Sequence, residues 1–153
     1  MKRVYIKKEV CMGCHLCEVH CQLAHADTKD PLKAFKRELP PPLPRVRLEE
    51  RGELALSVRC QHCEEPACVY ACLTGALSRD PVTGMVRVDE ERCIGCWTCI
   101  LACPYGVIRQ DIRRKKMVKC DLCEGRETPA CVDYCPKEAL VYTELPETVL
   151  SKD

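Results

Sequence analysis

Hydrophobic positions in this 153-residue chain come in short runs, and turn residues separate them. Val4 to Ile6 reads as a first strand. Ala76 to Arg79 and Met85 to Val88 flank Asp80-Pro81-Val82-Thr83-Gly84, so they predict a hairpin. Arg45 to Gly52 and Leu54 to Arg59 predict another, turning at Gly52. Val107 to Gln110 and Lys116 to Val118 predict a further strand pair, and Ala139 to Tyr142 a last strand. Strands this short make only modest sheet. No run approaches eighteen uninterrupted apolar residues, so no membrane span is expected.

Cysteines punctuate these runs. There are sixteen, in four groups of four: Cys11, Cys14, Cys17, Cys21; Cys60, Cys63, Cys68, Cys72; Cys93, Cys96, Cys99, Cys103; and Cys120, Cys123, Cys131, Cys135. Together with the strands they read as an internal repeat of cysteine loop, short helix, strand and turn. The third group, Cys93-Ile94-Gly95-Cys96-Trp97-Thr98-Cys99-Ile100-Leu101-Ala102-Cys103-Pro104, follows the bacterial ferredoxin spacing C-x2-C-x2-C-x3-C-P at every position. The first group has the same spacing without the proline. That pattern supplies the ligands of four cubane iron-sulfur clusters and points to electron transfer.

Three cysteines at three-residue intervals curl a short loop around a cluster and ligate three of its irons. Gly13 and Gly95, at matching places, let the backbone come close to the sulfides. The fourth cysteine lies one helical turn on, where it is expected to begin a helix and reach a neighbouring cluster. Pro104 and Pro136 limit the backbone directly after two of these fourth cysteines. Zinc is the main competing reading, but tetrahedral zinc sites are built from two separated pairs rather than runs of three. Disulfides would suit a secreted chain, and residues 1 to 10 lack the apolar stretch of a secretory signal.

Composition adjusts this picture in two ways. Phenylalanine and tryptophan occur once each, so clusters are expected to organise the core and the cluster-free chain to be largely unfolded. The net charge of +1 gives no reason to expect nucleic acid or a charged membrane surface as partner. The 38 residues between Cys21 and Cys60 break the repeat. They contain Pro40-Pro41-Pro42-Leu43-Pro44, a stiff extended stretch read as a connector between cluster pairs or a docking surface. His15, His20, His25 and His62 stand near cysteine groups, yet each cluster already has four thiolates, so the histidines are expected to pack near clusters or meet solvent rather than ligate. Trp97 and Tyr105 are expected to shield a cluster. Arg113 to Lys116 is read as a solvated basic turn, with steering of an acidic partner as the alternative.

From Cys11 to Pro136 the chain resembles the four-cluster ferredoxin-like electron-transfer subunits of anaerobic oxidoreductase complexes. These serve enzymes of the dimethyl-sulfoxide reductase and formate dehydrogenase type, formate-hydrogenlyase hydrogenases, carbon monoxide dehydrogenases and tungsten aldehyde oxidoreductases. The pieces that carry the likeness are Cys60-Gln61-His62-Cys63-Glu64-Glu65-Pro66-Ala67-Cys68, Cys93 to Cys99, Lys119-Cys120-Asp121-Leu122-Cys123, and Pro129-Ala130-Cys131.

The resemblance implies an α+β fold of two bacterial-ferredoxin-like two-cluster modules in pseudo-twofold arrangement, with short helices and short antiparallel hairpins. One module would comprise residues 1–21 and 117–143, the other 54–110, with 22–53 a Pro-containing connector and 144–153 a tail. It also implies the ligand sets. Cys11, Cys14, Cys17 and Cys135 would hold one [4Fe-4S] cluster, and Cys21, Cys120, Cys123 and Cys131 its neighbour. Cys60, Cys63, Cys68 and Cys103 would hold a third, and Cys72, Cys93, Cys96 and Cys99 a fourth. Some relatives lack a cysteine in the third group; Cys99 is present here, so four complete clusters are expected. The implied protein is a non-catalytic cytoplasmic subunit between a catalytic oxidoreductase subunit and a flavoprotein or other acceptor. A diffusible polyferredoxin is the alternative, and self-association a further expectation that no residue carries.

Overall fold

The structure, a computed structural model, describes residues 1–28, 30–38 and 41–144. Pro40 of the proline stretch and residues 145–153 of the expected tail lie outside the described residues. In chain order the elements are β1 (Arg3–Ile6), α1 (Leu16–Ala24), α2 (Pro31–Arg37), β2 (Val46–Arg51), β3 (Leu54–Arg59), α3 (Ala67–Tyr70), β4 (Leu77–Arg79), β5 (Val86–Val88), α4 (Thr98–Ala102), β6 (Arg109–Asp111), β7 (Lys116–Val118), α5 (Ala130–Asp133) and β8 (Leu140–Thr143). The result is a small α+β fold of short helices and short hairpins.

All sheets among the described residues are two-stranded and antiparallel: β1 with β8, β2 with β3, β4 with β5, and β6 with β7. Three are the expected hairpins. In the β4–β5 hairpin, Asp80 Oδ1 accepts from the amides of Val82 and Thr83 at 2.9 and 2.8 Å, which closes the turn. The fourth sheet joins the chain ends, setting Val4 opposite Tyr142. The strand expected at Val107 to Gln110 runs instead from Arg109 to Asp111, and Val107 and Ile108 are buried ahead of it.

Two helical features depart from expectation. Helix α2 lies in the connector, where Asp30 caps it by accepting from the amides of Leu32 and Lys33, and Pro31 takes the first helical position. The second concerns the fourth cysteines, which do not begin helices. Cys17 and Cys21 lie within α1, Cys103 follows the last residue of α4, and Cys72 and Cys135 lie just beyond α3 and α5. The helices start earlier because His15 and Trp97, at φ 58 and 64, turn the chain into α1 and α4 ahead of the third cysteine. Pro104 then stops α4, since the residue before proline avoids helical backbone, and Cys103 is extended at ψ 114. Gln22 imposes no such stop, so α1 continues to Ala24.

The interior divides into two apolar clusters. One gathers Val4, Cys17, Cys21, Val46, Leu48, Cys120, Leu122, Cys131 and Leu140, and so combines both chain ends with β2. The other gathers Leu77, Val86, Cys99, Ile108 and Met117. Four of the nine buried residues in the first are cysteines, so the core is built largely from candidate ligands.

Candidate functional site

Sequence spacing makes the first and third cysteine loops alike, and the backbone follows. Gly13 and Gly95 share φ 69, and each is followed two residues later by a left-handed residue that opens a helix, His15 or Trp97. The second and fourth loops also match. His62 and Leu122 are left-handed at φ 46 and 56, and their amides donate to Cys60 Sγ and Cys120 Sγ at 3.5 and 3.4 Å. Pro66 and Pro129 then precede α3 and α5. Each loop thus presents its cysteines by backbone geometry that the sequence repeats.

The folded chain gathers cysteines of different groups around two cavities. Cys11, Cys14, Cys17 and Cys135 line one cavity, together with Ser57 and Leu140. Cys72, Cys93, Cys96 and Cys99 line another, together with Trp97 and Met117. Burial pushes the Cys21 thiol up; the Arg45 amide opposes this by donating to its Sγ at 3.1 Å, and charge on Cys120, Cys131 and Cys123 adds to the rise. Burial likewise raises Cys68, with Cys60, Cys103 and Cys63 adding to it. In each of the two cavities three cysteines come from one group and the fourth from another.

Single-ion chemistry does not fit these sets. Four thiolates around one zinc, at about 2.3 Å from the metal, stand about 3.8 Å apart. Among the described residues no three cysteine sulfurs lie within 4.8 Å of one another. The trio that does, His25, Asp121 and Cys123, is tied into hydrogen bonds. His25 Nδ1 meets the Cys21 carbonyl at 2.7 Å, its Nε2 meets Asp121 at 3.1 Å, and Arg45 pairs with the same carboxylate. Burial works to raise the Asp121 carboxyl, but the His25 hydrogen bond and the Arg45 charge outweigh it and hold it below the usual range. Sets without a close sulfur trio suit a larger polynuclear group better than one ion.

Buried charge fits the same group. Arg59 and Lys119 are each 3% exposed, and neither meets a carboxylate among the described residues. Arg59 donates to Ser57 and the Val4 carbonyl, and Lys119 to the Cys120 carbonyl at 2.9 Å. Burial pushes the Arg59 guanidinium down, while Cys131, Cys120 and Cys17 pull it up. A buried cation is costly without an opposite charge, and the opposite charge on offer here is thiolate. Burial also raises Cys99, Cys120 and Cys131 to about 11, 11 and 12, and a bound metal would offset this by stabilising the thiolates. Cys72 and Cys96 sit differently. Burial raises Cys72, but amides of Leu77, Thr74 and Ala76 outweigh it, and the Thr98 hydroxyl lowers Cys96 by donating to it at 3.5 Å.

The other singled-out residues resolve individually. His15 is exposed beside Glu18, and His20 stacks on Tyr134 with ring centroids 3.7 Å apart. Trp97 packs on the second core, whereas Tyr105 is half exposed. The basic run is structural in part: Lys116 donates to the Glu90 and Cys93 carbonyls, and Arg114 pairs with Glu90, fastening the third cysteine loop. Sequence reading passed over Arg59 as an interior cation. Its signal was the strand alternation that points Ala55, Ser57 and Arg59 inward together.

Comparison with known proteins agrees with this chemistry. The family described as "4Fe-4S dicluster domain" matches residues 53–145. The electron transport protein HydN of Escherichia coli is 38% identical over 147 residues, covering 86% of this chain and 81% of HydN. The thiosulfate reductase electron transfer subunit PhsB of Salmonella typhi is 35% identical over 153 residues, covering 93% and 75%. The longer AegA of E. coli is 35% identical, but this chain spans 21% of it. A chain of the solved active site complex BamBC of benzoyl coenzyme A reductase aligns with 98% of this chain and 84% of its own, at 22% identity and a TM-score of 0.49. No helix among the described residues is long and apolar enough to cross a membrane. With its cysteine loops and these relatives, the chain belongs to the family of 4Fe-4S ferredoxin-like electron-transfer subunits.

Proposed function

We propose that this chain binds four [4Fe-4S] clusters and relays electrons between a catalytic oxidoreductase subunit and a second redox partner, a flavoprotein being the expected one. The observation that supports this is that two cavities each gather three cysteines of one group with a fourth from another, Cys135 beside Cys11, Cys14 and Cys17, and Cys72 beside Cys93, Cys96 and Cys99. The ligand sets are then Cys11, Cys14, Cys17 and Cys135; Cys21, Cys120, Cys123 and Cys131; Cys60, Cys63, Cys68 and Cys103; and Cys72, Cys93, Cys96 and Cys99. They define two modules nested in the chain and related by a pseudo-twofold, which the matching loops and the two apolar cores support.

Each bound cluster would supply a one-electron redox centre. The residues around it hold it and set its energy. Arg59 and Lys119 offset negative charge inside the protein, and amides of Arg45, His62 and Leu122 donate to ligand sulfur. Cys14 and Cys96 are the exposed cysteines, one in each of two different sets, which makes these sets the exchange points with partners. No side chain need act as acid, base or nucleophile. PhsB bears the name of an electron transfer subunit of thiosulfate reductase, which favours a place in an oxidoreductase complex. The catalytic partner we propose is a molybdenum or tungsten aldehyde or formate enzyme, a carbon monoxide dehydrogenase or a hydrogenase. Sixteen free thiols suit a reducing cytoplasm.

Iron and acid-labile sulfide in an anaerobic preparation test the cluster count: about 16 of each per chain are expected, and metal without sulfide would point to zinc. Co-purification tests the partner. A stable stoichiometric complex with an oxidoreductase supports the subunit reading, and a chain that runs alone through size exclusion supports a diffusible polyferredoxin.

A further inference from the structure

His62 is 1% exposed, sits between two cysteines, and is left-handed at φ 46. The Val86 amide donates to its Nδ1 at 3.1 Å. A ring nitrogen that accepts a hydrogen bond carries no proton, so the neutral ring bears its proton on Nε2. That Nε2 is buried and has no hydrogen-bond partner among the described residues. Folded proteins seldom leave a buried donor in this condition.

We infer that His62 Nε2–H donates a hydrogen bond to a sulfur of the cluster held by Cys60, Cys63, Cys68 and Cys103, and so raises the potential of that cluster. The inference rests on the ligand set proposed above. A donor that meets cluster sulfur favours the more negative reduced state, because hydrogen bonds to charged acceptors are the stronger ones. Reduction takes one electron from a donor such as dithionite; the proton stays on Nε2 and no bond forms or breaks. His62 is therefore a positioning and tuning residue. The matching loop provides a natural contrast, since Leu122 occupies the equivalent left-handed position after Cys120 and its side chain has no donor.

The test uses the full chain with clusters assembled, its midpoint potentials followed by EPR. His62→Leu copies the residue of the matching loop. His62→Asn keeps an acceptor for the Val86 amide while losing the far donor, and His62→Gln restores a donor at the far end. The Leu and Asn variants are expected to weaken reduction of one cluster about tenfold, about 59 mV for one electron. The other three potentials stay put, and Gln returns the first toward its original value. In protein labelled with 15N-histidine, pulsed EPR is expected to show nitrogen coupling on the same cluster whose potential moves. Leu and Asn variants with full iron content and four unchanged potentials would overturn the inference. If Cys60→Ala left iron and sulfide unchanged, the ligand set itself would fail, a separate result.

Discussion

Arg59 donates through Nη2 to the Val4 carbonyl oxygen, joining β3 to β1 across 55 residues of sequence in a place that is 3% exposed. The same guanidinium feels Cys131, Cys120 and Cys17, which belong to two different proposed sets. One side chain thus ties the terminal sheet to the interior and supplies positive charge to both sets.

Replacing Arg59 by Met keeps most of its length and removes the charge. The Val4 carbonyl and the Ser57 hydroxyl lose their donor, which should cost roughly 2 kcal/mol. Both midpoint potentials of the terminal pair should fall, while Arg59→Lys moves them less. Thermal unfolding and EPR-monitored titration of each variant check this, and unchanged potentials in the Met variant would contradict it.

Gly13 and Gly95 offer a paired comparison. At φ 69 any side chain is strained by about 1 kcal/mol. A Cβ on Gly95 would also clash with the Lys115 backbone carbonyl, whereas one on Gly13 would meet the end of the Glu50 side chain at 2.6 Å, which can swing away. Gly95→Ala should therefore lose cluster content and stability well beyond Gly13→Ala. Iron per chain and the unfolding midpoint measure the difference; equal losses would show that backbone strain alone matters.

The exchanged cysteines separate the two proposed modules. Cys135→Ala should deplete the terminal pair and leave the signals of the central pair, and Cys103→Ala should do the reverse. Loss of all four sets of signals in either variant would mean that the modules assemble as one.

Much of this was legible along the chain because the repeat is local. The hairpins around Gly52 and Gly84 depend on neighbouring residues, and the strands fall within one residue of their expected bounds apart from the shifted one at Arg109. Helix α2 was not expected, although Asp30 followed by Pro31, a cap and first-turn pair, was a local signal for it. The pairing of β1 with β8 was not, since no local signal joins residues so far apart. Nor was the interior place of Lys119, because hydropathy sorts such side chains outward. A buried cation makes sense only once the thiolates around it are counted.

Removal of iron should dissolve the cores along with the sites. With so many of the buried residues of the first core being cysteines, no apolar interior of ordinary size remains to hold the chain. Chelation under anaerobic conditions should abolish cooperative thermal unfolding by circular dichroism, and a retained sharp transition would show a fold independent of its metals.

The most direct test is a stoichiometric reductive titration of the anaerobic protein. Four clusters should take up about four electrons per chain, one each. An uptake of about two or fewer in protein with full iron content would contradict four redox-active clusters.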